Sequence, residues 1–315
     1  MDNSERTFIP GETEGAEHKV IPATQFLEEA ERIDRDWGFR KPDNLEVIST
    51  GIPSLDEQLR IGGIPRGYIT EIVGGPAAGK SVLTWHIITE ACKADVGWDG
   101  CALIMDTDRS LAVKYMEAIG VSFDKTTIVR AKSITQVHEV LNIAVSNGID
   151  LVILDSLAAL PEASKFAPWD LATILDITHQ SETAVVITNQ YRTYNGRQRP
   201  MYEEYLEIIA PISIDIKMRE SILRNGDVIG HEADLCVTRN RFAFSSPQIK
   251  CRLIYGEGID LVDSWIDTQL HAGTIIQRGG GWYECNNRQF HGRAALRDAI
   301  IRASMDRGDS NYTST

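Results

Sequence analysis

The sequence predicts an α/β protein with a mainly parallel central sheet and an antiparallel extension of that sheet. Three observations lead there. Short apolar runs that end in polar residues alternate with stretches of helical apolar spacing. A glycine-rich turn, Gly74, Gly75, Pro76, Ala77, Ala78, Gly79, Lys80 and Ser81, joins one such run to one such helix. Past residue 210 the pattern changes to apolar–polar alternation around Asn225-Gly226, a strong hairpin signal.

The elements follow in order. Residues 1–20 are polar and aperiodic and read as a tail. Within 21–45, Phe26, Leu27, Ala30, Ile33 and Trp37 share one helical stripe that ends at Lys41-Pro42-Asp43. That helix is expected either to pack on its own core or to dock onto a neighbouring protomer. The core is expected over 46–258 and opens with turn-rich segments at 49–56 and 62–67. A buried strand over 68–73 enters the glycine-rich turn, and 82–92 places Leu83, Ile87 and Ala91 on one helical face. A strand over 101–105 ends at Asp106-Thr107-Asp108, and a helix over 111–119 follows. The run 149–154 ends in Asp155-Ser156, and 184–188 ends in Asn189-Gln190. Further strands are expected at 212–222, 235–241 and 249–255. Residues 259–306 make a small C-terminal lobe, with a helix over 294–305 presenting Leu296, Ile300 and Ile301, and 307–315 are tail.

Composition bounds the function. A chain of 315 residues, 43% of them hydrophobic, can bury one sizeable core. No apolar run approaches the ~20 residues that span a bilayer. The first residues lack a basic-then-apolar leader pattern, so the cytoplasm is the expected location. The five cysteines, at 92, 101, 236, 251 and 285, include no C-x-x-C pair and are expected as free thiols, without a zinc site. A net charge of −13 opposes gross nucleic-acid binding, so any DNA contact must come from a local basic island.

The glycine-rich turn has the spacing G-x-x-x-x-G-K-[ST] between a strand and a helix, which is the context a phosphate-binding loop needs. Its glycines let backbone N–H groups curl round a polyphosphate, and the helix that starts at Lys80-Ser81-Val82 adds positive potential. Lys80 would reach the β- and γ-phosphates, and the Ser81 hydroxyl would ligate Mg²⁺. Asp155, at a later strand end, would hold the same ion through water. Asp106 and Asp108 point to the same side of an extended segment, so spacing alone leaves either as the acid that orients the attacking water. Gln190 would sense the γ-phosphate by hydrogen bonding. Directly after it lies the most basic stretch of the chain, with Arg192, Arg197 and Arg199 beside Tyr191 and Tyr194. Guanidinium forks bind phosphate and aromatic rings stack on unpaired bases. Arg239 and Arg241, at i and i+2 on a strand, face one side and would reach a neighbour's nucleotide.

Together these segments resemble the RecA recombinases of bacteria and bacteriophages. The resemblance is carried by Ser49-Thr50-Gly51, Ser54-Leu55-Asp56, the loop 74–81, Cys101-Ala102-Leu103-Ile104, Ile119-Gly120-Val121, the run 150–160, Asn189-Gln190 with Arg192, Arg239-Asn240-Arg241, the run 254–259 and Gly281-Trp282-Tyr283. They stand in the family's order from about residue 46 to 300. The resemblance implies a RecA-like phosphate-loop core flanked by an N-terminal helix and a small C-terminal lobe. It implies a DNA-dependent ATPase using ATP and Mg²⁺, in a helical filament on single-stranded DNA that pairs homologous duplex and exchanges strands. A single-strand-binding protein and a loader would be its helpers, in a bacterial cytoplasm or an infected cell. By position it makes Asp108 the catalytic acid, where the family usually carries a glutamate, and the shorter carboxylate implies slow turnover. Tyr115 and Tyr255 would lie near the base, Gln190 would couple ATP to the DNA loop, and Arg239 and Arg241 would cross the subunit interface. The segment between Asp155 and Asn189 is shorter than the family's and keeps Lys165 as its one DNA-facing cation. An accessory paralogue without strand exchange, and a closed-ring ATPase, are the competing readings.

Overall fold

Strands buried on both faces build the centre of this structure, a computed structural model that describes residues 45–93, 101–160, 168–194, 196–244 and 248–305. The expected helix within 21–45, both tails and Lys165 lie outside the described residues. The chain divides into 1–39 and 40–315, and everything described belongs to the second unit. In chain order, β1 (Val47–Ile48), α1 (Pro53–Leu59) and β2 (Ile64–Pro65) precede β3 (Ile69–Gly74) and α2 (Lys80–Ala91). Then come β4 (Ala102–Asp106), α3 (Val113–Ile119), β5 (Thr126–Val129), α4 (Ile134–Ser146), β6 (Leu151–Asp155), α5 (Pro168–His179) and β7 (Ala184–Asn189). A small hairpin, β8 (Tyr191–Tyr194) and β9 (Arg197–Pro200), leads to α6 (Glu203–Ile209). The long strands β10 (Ile212–Arg224) and β11 (Asp227–Asn240) follow, with β12 (Ile249–Ile254) and β13 (Gly258–Ile259). The last elements are α7 (Leu261–His271), β14 (Ile275–Arg278), β15 (Trp282–Cys285), β16 (Arg288–His291) and α8 (Arg293–Met305).

The main sheet has nine described strands in the order β13-β12-β11-β10-β3-β7-β6-β4-β5. From β10 to β5 all neighbours are parallel, and from β10 to β13 all are antiparallel. This is the expected parallel centre with its antiparallel extension. The period of two sorts side chains to the two faces. Leu151 and Ile153 join one apolar cluster with Leu55, Leu83, Ile87 and Met116 from α1, α2 and α3. Val152 and Leu154 join the other, with Val137, Leu141, Leu171, Ile174 and Leu206 from α4, α5 and α6. Helices therefore cover both faces, which is why the central strands read as unbroken apolar runs.

Asn225 and Gly226 turn β10 into β11 with φ of 55° and 92°, the left-handed pair that matches strand twist in a two-residue hairpin. The terminal elements pack α7 and α8 on the three-stranded sheet β14-β15-β16 around Val262, Ile266, Ile275 and Leu296. Ser264 on α7 reaches Ser54 on α1, Oγ to Oγ at 2.7 Å.

One expectation is corrected. Cys92 at the end of α2 and Cys101 before β4 form a disulfide, with Cα atoms 5.4 Å apart. The end of α2 and the start of β4 lie close together, which pairs two thiols nine residues apart, a spacing that matches no short motif. Cys236, Cys251 and Cys285 remain thiols.

His86, on the inner face of α2, accepts the Ile259 N–H at Nε2 over 2.9 Å. Burial, reinforced by the Lys93 charge, pushes its imidazole down to about 4. The folded chain therefore holds it neutral, while the unfolded chain protonates it near 6.5. Its contribution to stability is complete above that value and is lost as the pH falls from about 6.5 toward 4, by roughly 3 kcal/mol. Denaturant titrations across this range should show the loss in the parent and a shallower slope in His86→Gln; identical slopes would remove His86 from the account.

Candidate nucleotide site and arginine hairpin

Parallel pairing brings the C-terminal ends of β3, β7, β6 and β4 to one edge of the sheet, and the predicted chemistry collects there. β3 ends at Gly74 and the loop turns into α2 at Lys80. Gly79 takes φ of 102°, a backbone conformation that strains any side chain, and a Cβ there would also stand 2.4 Å from Leu253 Cδ1 on β12. Pro76 and Ala77 are exposed, Ala78 and Val82 are buried, and a Cβ on Gly75 would meet nothing within 4 Å. The loop thus presents bare backbone to open space, a cradle that fits a polyphosphate.

Lys80 is buried, and its Nζ donates to Gly74 O at 3.1 Å and Gly75 O at 2.8 Å. Burial lowers its ammonium from the usual range, while Asp155 and Asp108 draw it back up. Asp155 ends β6 and is raised by burial, against hydrogen bonds from Thr188 and Ser81. The Thr188 hydroxyl donates to Asp155 Oδ1 at 2.5 Å. Lys80, Ser81 and Asp155 therefore form one cluster, and a hydroxyl beside a carboxylate is a donor set that fits Mg²⁺.

The two candidate acids of β4 separate. The strand ends at Asp106, so the alternation that put both on one side stops there. Asp106 is buried and accepts the Arg109 N–H at 2.7 Å, which closes a turn. Asp108 is exposed, accepts the Ser110 N–H at 3.0 Å, and its charge is felt at both Lys80 and Asp155. Tyr115 and Tyr255 meet at the end of β12. The Tyr115 hydroxyl donates to Ile254 O at 2.9 Å, and the exposed Tyr255 ring lies 5.9 Å from that of His231.

β7 carries the edge onward. Gln190 follows it, half-buried, and its backbone closes the base of the β8–β9 hairpin through Met201 N→Gln190 O at 3.0 Å. Arg192, Arg197 and Arg199 are exposed on that hairpin, and Tyr194 ends β8 opposite Arg197. Arg192 and Arg199 also line a cavity of about 480 Å³ with Tyr202, Tyr205, Glu203 and Glu204. Tyr191 is hydrogen-bonded to Asp215 on β10, and burial first, then that bond, raises its phenol far above the usual range.

A buried polar network escaped the sequence reading. Glu71 on β3 accepts Asn189 Nδ2 at 2.8 Å and Ser213 Oγ at 2.9 Å, with Arg239 Nη1 at 3.8 Å. Asn189 also donates to Met201 O at 2.7 Å and accepts the Gln190 N–H at 2.8 Å. These partners are distant in sequence, so only the unusual acid inside an apolar strand signalled them. Arg239 and Arg241 do share one side, but within this chain both cap the C-terminal end of α6. Arg239 Nη1 donates to Leu206 O and Ala210 O at 3.0 Å, and Arg241 to Ile208 O and Glu207 O.

Comparison with known proteins agrees with this geometry. The family model for the RecA N-terminal domain matches residues 35–168, which includes the phosphate loop, β4 and β6. Protein RecA of Caulobacter sp. is 26% identical, over 95% of this chain and 90% of its own. Protein RecA of Streptomyces venezuelae is 28% identical, over 80% and 71%, and that of Thioalkalivibrio sulfidiphilus 29%, over 78% and 77%. Motifs, fold and relatives point the same way: the chain is similar to RecA proteins over most of its length.

Proposed function

We propose that this chain is an ATP-dependent homologous recombination protein that assembles as a helical filament on single-stranded DNA, pairs it with a homologous duplex and promotes strand exchange in the cytoplasm. One observation carries the reading. The strand whose Thr188 holds Asp155 continues, through Asn189 and Gln190, straight into the arginine hairpin. In this reading nucleotide chemistry and DNA contact lie on one continuous stretch of chain.

In this reading the loop amides and Lys80 bind the triphosphate. Mg²⁺, held by Ser81 and through water by Asp155, would neutralise charge on the phosphates. Asp108, the exposed acid of the edge, orients the attacking water and takes its proton. Gln190 reads the γ-phosphate and transmits its presence to the hairpin. Arg192, Arg197 and Arg199 bind DNA phosphates, with Tyr194 as a stacking ring and Lys165 as a further cation. Tyr115 and Tyr255 frame the base. Arg239 spends Nη1 on both helix carbonyls and holds Nη2 4.0 Å from Glu207, and Arg241 spends both terminal nitrogens on Ile208 O and Glu207 O, so in the filament each would turn its remaining donors to a neighbour's phosphate.

A second reading, an accessory protein that binds ATP and DNA without exchanging strands, is favoured by one detail. Glu203 stands 3.8 Å from Arg199, and Glu204 shares its cavity, so acids dilute the basic surface. A fluorescence strand-exchange assay with ATP separates the readings. Product formation is expected, and DNA binding without product would favour the accessory.

Three further outcomes are expected. Lys80→Ala should abolish ATP turnover, and Asp108→Asn should keep nucleotide binding while lowering hydrolysis by about 10²-fold. Hydrolysis by Asp108→Asn at the parental rate would move the water-orienting role elsewhere. Replacing Arg192, Arg197 and Arg199 together by alanine should weaken single-stranded DNA binding and flatten its log–log salt slope by about 2. Unchanged affinity and slope would place the DNA elsewhere on the protein.

A further inference from the structure

Thr107 separates the two acids at the end of β4. It ties the end of β4 to the residues at and just after the end of β6. Its N–H donates to Asp155 O at 3.0 Å. Its hydroxyl donates to Ser156 O at 2.8 Å and accepts the Ser156 N–H at 2.8 Å.

These bonds stand where the ladder between β4 and β6 stops. The last register pair is Asp106 with Asp155. Past it the two backbones would part, and the residues after each strand end would be free to move against each other. The Thr107 hydroxyl fills the place of the next rung, because one hydroxyl can donate and accept at once. Ser156 is 1% exposed, so its N–H and C=O have no water to turn to if the hydroxyl is lost. Valine keeps the shape of threonine and offers neither bond. Serine offers both, with a less restricted χ1.

Asp108 is the next residue. Its side chain is short, so the place of its carboxylate is set mainly by its backbone. That backbone is one peptide from the clasp, and Asp155 is one peptide from the other end of it. The charges of Asp108 and Asp155 already act on each other and on Lys80. A shift of about 1 Å in a group that orients a reacting water can cost about 10²-fold in rate.

We propose that Thr107 is a positioning residue for ATP hydrolysis: the two hydrogen bonds of its hydroxyl to Ser156 fix Asp108 at its working distance from Lys80 and Asp155. The inference rests on Asp108 as the water-orienting acid.

The test measures kcat for ATP with single-stranded DNA, and the dissociation constant for ATP, on the full-length chain. The variants are Thr107→Val, Thr107→Ser, Asp108→Asn and the double variant Thr107→Val/Asp108→Asn. Thr107→Val should lower kcat by about 10- to 100-fold while its ATP affinity stays within about threefold, which also shows that it folds. Thr107→Ser should keep kcat within about threefold of the parent. The double variant should be no slower than Asp108→Asn, because the hydroxyl acts through that acid. Parental kcat in Thr107→Val beside a slow Asp108→Asn would overturn the proposal. Losses that multiply in the double variant, or ATP affinity that falls in step with kcat, would overturn it too, the latter by showing a merely structural role. Parental hydrolysis by Asp108→Asn would instead remove the reading of Asp108 beneath it.

Discussion

Everything at the working edge depends on parallel pairing of β3, β7, β6 and β4. Four strands that run the same way must end on the same side, so the polar groups at and just after their ends gather there. Burying Lys80 beside Asp155 is costly for both charges. The cost is offset by their mutual attraction, by Thr188 on the carboxylate, and by the Gly74 and Gly75 carbonyls on the ammonium. Two such groups at an interior edge are a signature of a functional site, and under the proposed function the open backbone of the phosphate loop would face the incoming phosphate charge.

The proposed DNA contact has to reconcile an acidic protein with a polyanion. Its net charge is −13, so attraction must be local. Under the proposed function the β8–β9 hairpin supplies it, and the hairpin is not a free loop. Asn189 grips Gln190 at one end and Met201 at the other, Glu71 grips Asn189, and Tyr191 is tied to Asp215. Beyond it, Arg239 and Arg241 brace the end of α6. A change at the strand ends would reach the arginines through bonded groups, without a long lever.

What was legible in the sequence followed from local rules. The phosphate loop, the strand ends at Asp155 and Asn189, and the Asn225-Gly226 hairpin each have a short-range cause: glycine geometry, unbroken apolar runs, a left-handed turn. What was not legible depended on where the chain goes afterwards. Asp106 and Asp108 look alike until β4 ends between them and sends one inward and one outward. Cys92 and Cys101 pair because the end of α2 lies beside the start of β4, which no spacing announces. Glu71 finds Asn189 and Ser213 across more than a hundred residues. Thr107 looks like a spacer until its hydroxyl is seen between two strands.

The central claim is that the clustered edge at Lys80, Asp155 and Asp108 works in step with DNA on the adjoining hairpin. The most direct measurement is steady-state ATP hydrolysis at fixed salt, with and without single-stranded DNA, on the parent chain and on Lys80→Ala. The account predicts hydrolysis that DNA stimulates strongly in the parent and that is absent in the variant. Hydrolysis in the parent that is indifferent to DNA would contradict it, and the hairpin would then be sought as a protein contact.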